Sequence, residues 1–120
     1  MKKLLAFIFI LTISTQLFGS IKEKHLIGKW KYTVETPEGN MTGVFKFVKT
    51  DGKLSGDVIT DDGYTIPFTR IEIQEKDTLY LELQTDSDTI KVTVVVDGDK
   101  FKGTGTSYNG DAPITGEKVE

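Results

Sequence analysis

Residues 78–96 read TLYLELQTDSDTIKVTVVV. Leu79, Leu81 and Leu83 alternate with Tyr80, Glu82 and Gln84, and Ile90, Val92, Val94 and Val96 alternate with Lys91, Thr93 and Val95. A strict period of two places the apolar set on one face of an extended strand and the polar set on the other. Between the two runs stands Asp86-Ser87-Asp88, a cluster of turn formers. The stretch is therefore a β-hairpin with one buried face.

The same pattern extends outward. Trp30, Tyr32 and Val34 alternate with Lys29, Lys31, Thr33 and Glu35. Further turn signals occur at Pro37-Glu38-Gly39-Asn40, Asp51-Gly52, Asp61-Asp62-Gly63, Glu75-Lys76-Asp77, Asp97-Gly98-Asp99 and Asn109-Gly110. Seven turns imply eight antiparallel strands in sequence order. Residues 21–120 hold one alanine, Ala112, against fourteen threonines, a composition that disfavours helix and favours strand. A helical turn is expected only within Ile21–Ile27.

The chain also repeats itself. Gly56 and Gly103 are 47 residues apart, as are Gly63 and Gly110, and Phe45 and Phe47 fall on Val92 and Val94 in that register. Pro67-Phe68-Thr69 echoes Pro113-Ile114-Thr115. Two four-strand units, roughly 29–74 and 77–120, follow. Similar strands with uniformly short connections favour an all-β, eight-stranded antiparallel up-and-down barrel, which leaves no free edge. A two-sheet β-sandwich is the alternative.

Residues 1–20 stand apart from this pattern. Lys2 and Lys3 precede an uncharged run from Leu4 to Leu11, and then come Thr12, Ser14, Thr15, Gly19 and Ser20. This is the form of a secretory signal peptide, its apolar core being short for a membrane span. Cleavage is expected between Thr15 and Ile21, leaving one domain over 21–120 that is exported to a periplasm or secreted, with no membrane span. The short Met-Lys-Lys start and the absence of cysteine look bacterial. Cleavage removes Lys2 and Lys3 and no other charge, so the basic count falls from 15 to 13 against 18 acidic residues, a net of −5.

Composition excludes several chemistries. Without cysteine there is no disulfide framework, thiolate metal site or cysteine nucleophile. His25 is the single histidine, too little for a His-based metal cluster or a His-paired hydrolase. The acidic balance would repel nucleic acid. The acidic residues fall in turns or on polar strand faces, so no carboxylate is set in an apolar pocket for acid catalysis. No enzyme, cofactor or metal site is expected; Asp86-Ser87-Asp88 and Asp61-Asp62 complete no EF-hand spacing.

Gly28-Lys29-Trp30 opens the first strand after the short segment Ile21–Ile27. A Gly-x-Trp in this place, before an eight-strand meander, resembles the lipocalin-like (calycin) barrel families. The resemblance implies that Trp30 closes the barrel floor and that a basic residue of the last strand, here Lys118, packs across it. The chain is shorter than most lipocalins and lacks room for their C-terminal helix, so it resembles a minimal bacterial form.

Up-and-down topology sorts the turns between two ends. One end gathers Glu38, Asp61, Asp62, Asp86, Asp88 and Asp111 with Asn40, Asn109, Tyr64 and Tyr108. Lys49, Lys53, Lys76 and Lys100 fall toward the other, which Ile21–Ile27 can plug. The acidic end is the expected mouth, with Asn40, Asp62, Tyr64, Asp86, Asp88, Tyr108 and Asn109 as candidate ligand-binding residues. Inside, Gly56, Gly103, Gly105 and Ser107 share the inward parity with Trp30, Tyr32, Phe45 and Phe47. These small residues either leave a cavity or make room for the aromatic rings. The expected function is binding of a small, largely apolar ligand. The alternative is a non-enzymatic structural or protein-interaction domain of the cell envelope with a filled core.

Overall fold

The computed structural model describes residues 21–120; the proposed signal peptide lies outside them. A one-turn helix α1 (Glu23–Leu26) precedes eight strands. These are β1 (Gly28–Thr36), β2 (Gly39–Thr50), β3 (Lys53–Thr60), β4 (Thr65–Gln74), β5 (Thr78–Gln84), β6 (Thr89–Asp97), β7 (Lys100–Ser107) and β8 (Gly110–Lys118). Each pairs antiparallel with the next, and β8 returns to β1 from Trp30↔Lys118 to Val34↔Ile114. The fold is a closed up-and-down barrel, which excludes the sandwich.

The internal repeat is visible in the register. Phe47 pairs with Gly56, and Val94, 47 residues on, pairs with Gly103, also 47 residues on. Both Gly63 and Gly110 take positive φ, 93° and 109°, at the corresponding turns. Pro67 lies opposite Asp57 and Pro113 opposite Thr104, so each unit loses one ladder donor at the same place.

The units differ after those prolines. From β7 to β8 the pairing runs from Ser107↔Gly110 to Lys100↔Glu117. Between β3 and β4 it covers only Asp57↔Pro67, Val58↔Ile66 and Ile59↔Thr65. A register shift between Phe68 and Arg70 then turns β4 away from β3. It also flips the parity of β4, so Ile71 and Ile73 join Ile66 and Phe68 against the core. Simple alternation does not place these two isoleucines inside.

Aromatic rings fill the barrel from its lower end. Phe45 stacks on Tyr32 at 4.6 Å and on Phe101 at 5.6 Å, and meets Phe68 edge-on at 5.4 Å. Phe47 stacks on Phe68 at 5.5 Å, and Trp30 lies 5.7 Å from Phe101. Leu79, Leu81, Val92, Val94 and Ile114 close the wall around them, all buried. Each fully buried large apolar side chain contributes about 1.5–3 kcal/mol relative to exposure. Without disulfides, this slab carries the stability of the domain.

Candidate functional site

The lower end is sealed by its own residues. The backbone of α1 offers carbonyls to the floor: Trp30 Nε1 donates to Leu26 O at 2.9 Å, and Lys118 Nζ donates to His25 O at 2.6 Å. The same ammonium lies 5.9 Å from the centre of the Trp30 ring, within cation–π range. His25 Nε2 donates to Gly98 O at 2.7 Å and lies 3.4 Å from Asp99 Oδ1. Ile21 N donates to Lys76 O, and Lys49 pairs with Glu23 at 3.1 Å. A short segment with little intrinsic helix stability is thus held by six residues, Trp30, Lys49, Lys76, Gly98, Asp99 and Lys118. Trp30 and Lys118 meet at this floor.

The upper end is open. Exposure of the inward positions rises toward the acidic end along several strands. On β1 it passes from Trp30 and Tyr32, buried, to Val34, half-buried; on β8 from Ile114, buried, to Ala112, half-buried. Ile66, Ile90, Gly105 and Ser107 are likewise half-buried. Val34, Ile66 and Ile90 pack on the core below them. A Cβ placed on Gly105 would meet only Ala112 O, at 4.0 Å. Above the aromatic slab the barrel therefore has a short apolar vestibule, with Gly105 and Ala112 as its least crowded wall.

Its floor is Tyr32. That ring crosses toward β2, where the absence of a side chain at Gly43 makes room; a Cβ there would lie 2.5 Å from the Tyr32 hydroxyl. Tyr32 as a whole is 8% exposed; its hydroxyl makes no hydrogen bond among the described residues and is not sealed from solvent. Burial pushes its pKa up, and the Asp61 carboxylate pushes in the same direction. The proton is thus held, and the hydroxyl lies over Gly43 on β2 as a donor. Tyr32 reads from sequence as one more inward aromatic; only the ring's path over Gly43 shows its polar end near the rim.

The rim places the expected mouth residues in different roles. Asp88 is half-buried and fully engaged: Oδ1 accepts the Thr89 N–H at 2.8 Å and Oδ2 the Tyr108 N–H at 2.7 Å. Thr85 Oγ1 donates to Asp88 O, and Thr106 Oγ1 donates to Asp111 Oδ1 at 2.8 Å. Asp61 accepts from Thr42 Oγ1. Asp62 and Asp86 are exposed, as are Asn40 and Asn109. Asn40 pairs with Glu35 at the β1–β2 hairpin, and Asn109 N donates to Ser107 Oγ. Tyr64 and Tyr108 are 70% and 76% exposed, standing on the rim and not in the vestibule. Among the described residues, no three acidic or histidine side chains converge to hold a metal ion.

Outside the barrel, two features mark the wall. Arg70 bridges Glu72 at 2.5 Å and Glu82 at 3.3 Å and lies over the Tyr80 ring at 5.6 Å. Tyr80 thus neighbours an arginine–glutamate network. A shallow hollow of about 280 Å³ lies across β1, β8 and β7, lined by Lys31, Thr33, Lys100, Thr115, Glu117 and Val119. It opens to solvent on the polar face.

No protein-family model matches the chain, and no curated protein matches it. Among solved structures the barrel is similar to a redesigned β-barrel, with a TM-score of 0.63 at 19% identity, covering 82% of this chain and 95% of that one. It is similar to a redesigned β-barrel bound to DFHBI, with a TM-score of 0.59 at 18% identity, covering 81% and 97%. A Schistosoma mansoni fatty acid binding protein in complex with arachidonic acid matches with a TM-score of 0.53 at 15% identity, covering 80% and 97%. At these identities the likeness is one of fold: this chain shares the closed up-and-down barrel.

Proposed function

We propose that the protein is an exported, non-enzymatic binding module that takes a small, largely apolar ligand into the vestibule above Tyr32. The observation that carries this reading is the asymmetry of the interior. The lower barrel is filled by stacked rings, while Val34, Ile66, Ile90, Gly105 and Ala112 leave apolar surface half-exposed at the open end. Apolar surface gathered in a concavity is the usual setting for small-ligand binding. The fold neighbours bound to arachidonic acid and to DFHBI support it at the level of architecture. The lipocalin-like Gly28-Lys29-Trp30 and its contact with Lys118 are in keeping with a bacterial member of that broad group.

The filled lower interior favours a second reading, a structural or protein-interaction domain of the cell envelope acting through its outer wall. Native mass spectrometry of the exported protein separates the two. The binding reading expects a stoichiometric co-purified mass that is lost on Gly105→Leu, which fills the vestibule. A ligand-free protein that also fails to take up small apolar compounds would favour the structural reading. N-terminal sequencing of the same material tests export, with the mature start expected between Thr15 and Ile21.

A further inference from the structure

The β1–β2 hairpin stands above the rest of the ring. Pairing of β1 with β8 stops at Val34↔Ile114, and pairing of β2 with β3 starts at Gly43↔Thr60. Glu35, Thr36 and Gly39 to Thr42 therefore pair only with the opposite arm of their own hairpin. A two-stranded ribbon without flanking strands is accessible from both sides and easily deformed.

That ribbon carries Asn40-Met41-Thr42, an asparagine followed two positions later by a threonine with no proline between them. The tripeptide is the acceptor pattern for N-linked glycosylation of exported chains. Side chains two apart on a strand point the same way, about 6.8 Å from one another, so the Asn40 carboxamide and the Thr42 hydroxyl share a face. That face is the outer one, because Thr42 lies opposite Thr33, which lines the hollow on the outer wall. Asn40 is exposed. The side-chain hydrogen bonds of the hairpin run from Thr36 Oγ1 to Gly39 O and from Thr42 Oγ1 to Asp61 Oδ2, and leave the Asn40 carboxamide free among the described residues. The Thr42 hydroxyl donates its one proton to Asp61 and keeps lone pairs for a second partner. The other asparagine of the chain, Asn109, is equally exposed at the same end but is followed by Gly110-Asp111, with no hydroxyl in the required place.

Resting on export as read above, we propose that Asn40 is an N-glycosylation site. The donor is an oligosaccharide linked through pyrophosphate to a lipid. Asn40 Nδ2 forms a bond to the anomeric carbon of the first sugar, the bond from that carbon to the pyrophosphate oxygen breaks, the lipid pyrophosphate leaves, and Nδ2 gives up one proton. The sugar then projects from the outer face of the hairpin, a bulky hydrophilic cover beside the mouth that does not enter the vestibule.

The test is the denatured intact mass and the N-terminal sequence of the full protein recovered from the envelope and medium of its own host. The expected result is a chain that starts between Thr15 and Ile21 and is heavier than its polypeptide by one oligosaccharide. The added mass is expected to vanish in Asn40→Gln and in Thr42→Val and to persist in Thr42→Ser. A processed chain at its bare polypeptide mass would overturn the proposal and leave export standing. An unprocessed, unmodified chain starting at Met1 would overturn both. Sugar that survives Asn40→Gln would overturn the assignment to Asn40.

Discussion

Asp88 Oδ2 accepts the backbone N–H of Tyr108 at 2.7 Å, tying the β5–β6 turn to the neighbouring β7–β8 turn along the rim. The other oxygen accepts the Thr89 N–H at 2.8 Å, so one carboxylate orders two turns. Asp88→Ala leaves two amides without their acceptor and is expected to cost about 1–2 kcal/mol. Asp88→Asn keeps one acceptor oxygen and should cost less. Thermal denaturation checks this, with a fall of about 4–8 °C expected per kcal/mol in a domain this size. Equal melting temperatures for all three proteins would remove Asp88 from this role.

Two glycines on neighbouring strands should respond oppositely to alanine. At Gly105 the added methyl enters open space, and the loss of unfolded-chain freedom stabilises by about 0.4–1 kcal/mol. At Gly116 the methyl would overlap the Phe101 ring, which is wedged between Trp30 and Phe45, and overpacking costs about 1–3 kcal/mol. Urea titration of both variants measures the two signs directly.

Lys118 holds the floor through one hydrogen bond and one cation–π contact. Lys118→Met preserves the apolar stem but removes the ammonium, and is expected to cost about 1–2 kcal/mol. Trp30 is the single tryptophan, so its emission reports the change without ambiguity. A red shift is expected as α1 loosens and water reaches the indole. Unchanged emission with unchanged stability would count against the floor contact.

Tyr32 predicts a loss of stability in alkali. Its pKa is raised from the ordinary phenol value of 10.0, by burial first and Asp61 second. Below pH 10 both folded and unfolded chains keep the proton, and stability does not depend on this group. Above pH 10 the unfolded chain ionises first, so the folded state loses stability with rising pH until the folded phenol also ionises. Tyr32→Phe should flatten that part of the profile. Chemical denaturation between pH 9 and pH 11, read against wild type, tests the difference.

Most of the architecture could be read from residues alone, because alternation specifies strands and Asp-Gly turns specify their ends. The strand runs around Leu79–Leu83 and Ile90–Val96 show how local that information is: each needs only its own side chains. Ile71 and Ile73 were not legible, since the shift after Phe68 reverses parity without any proline or glycine at the bulge itself. The site was legible in outline and not in function. Topology gathers the acidic turns at one end, but Asp88 spends both oxygens on backbone amides, and Tyr64 and Tyr108 point to solvent. What makes the vestibule, namely the path of Tyr32 across Gly43 and the space beside Gly105, depends on contacts between residues distant in sequence. No local pattern encodes it.

The three-position join between β3 and β4 gives the ring a preferred place to part. One of its three positions on β4 is Pro67, which has no amide to offer, so few bonds resist separation there. Amide exchange in Lys53–Gly56 and Arg70–Gln74 should run well ahead of exchange in the matching residues of β7 and β8. A barrel of this kind has no beginning or end by its hydrogen bonds, yet its dynamics would give it both: it would breathe as a curled sheet whose two margins are β3 and β4.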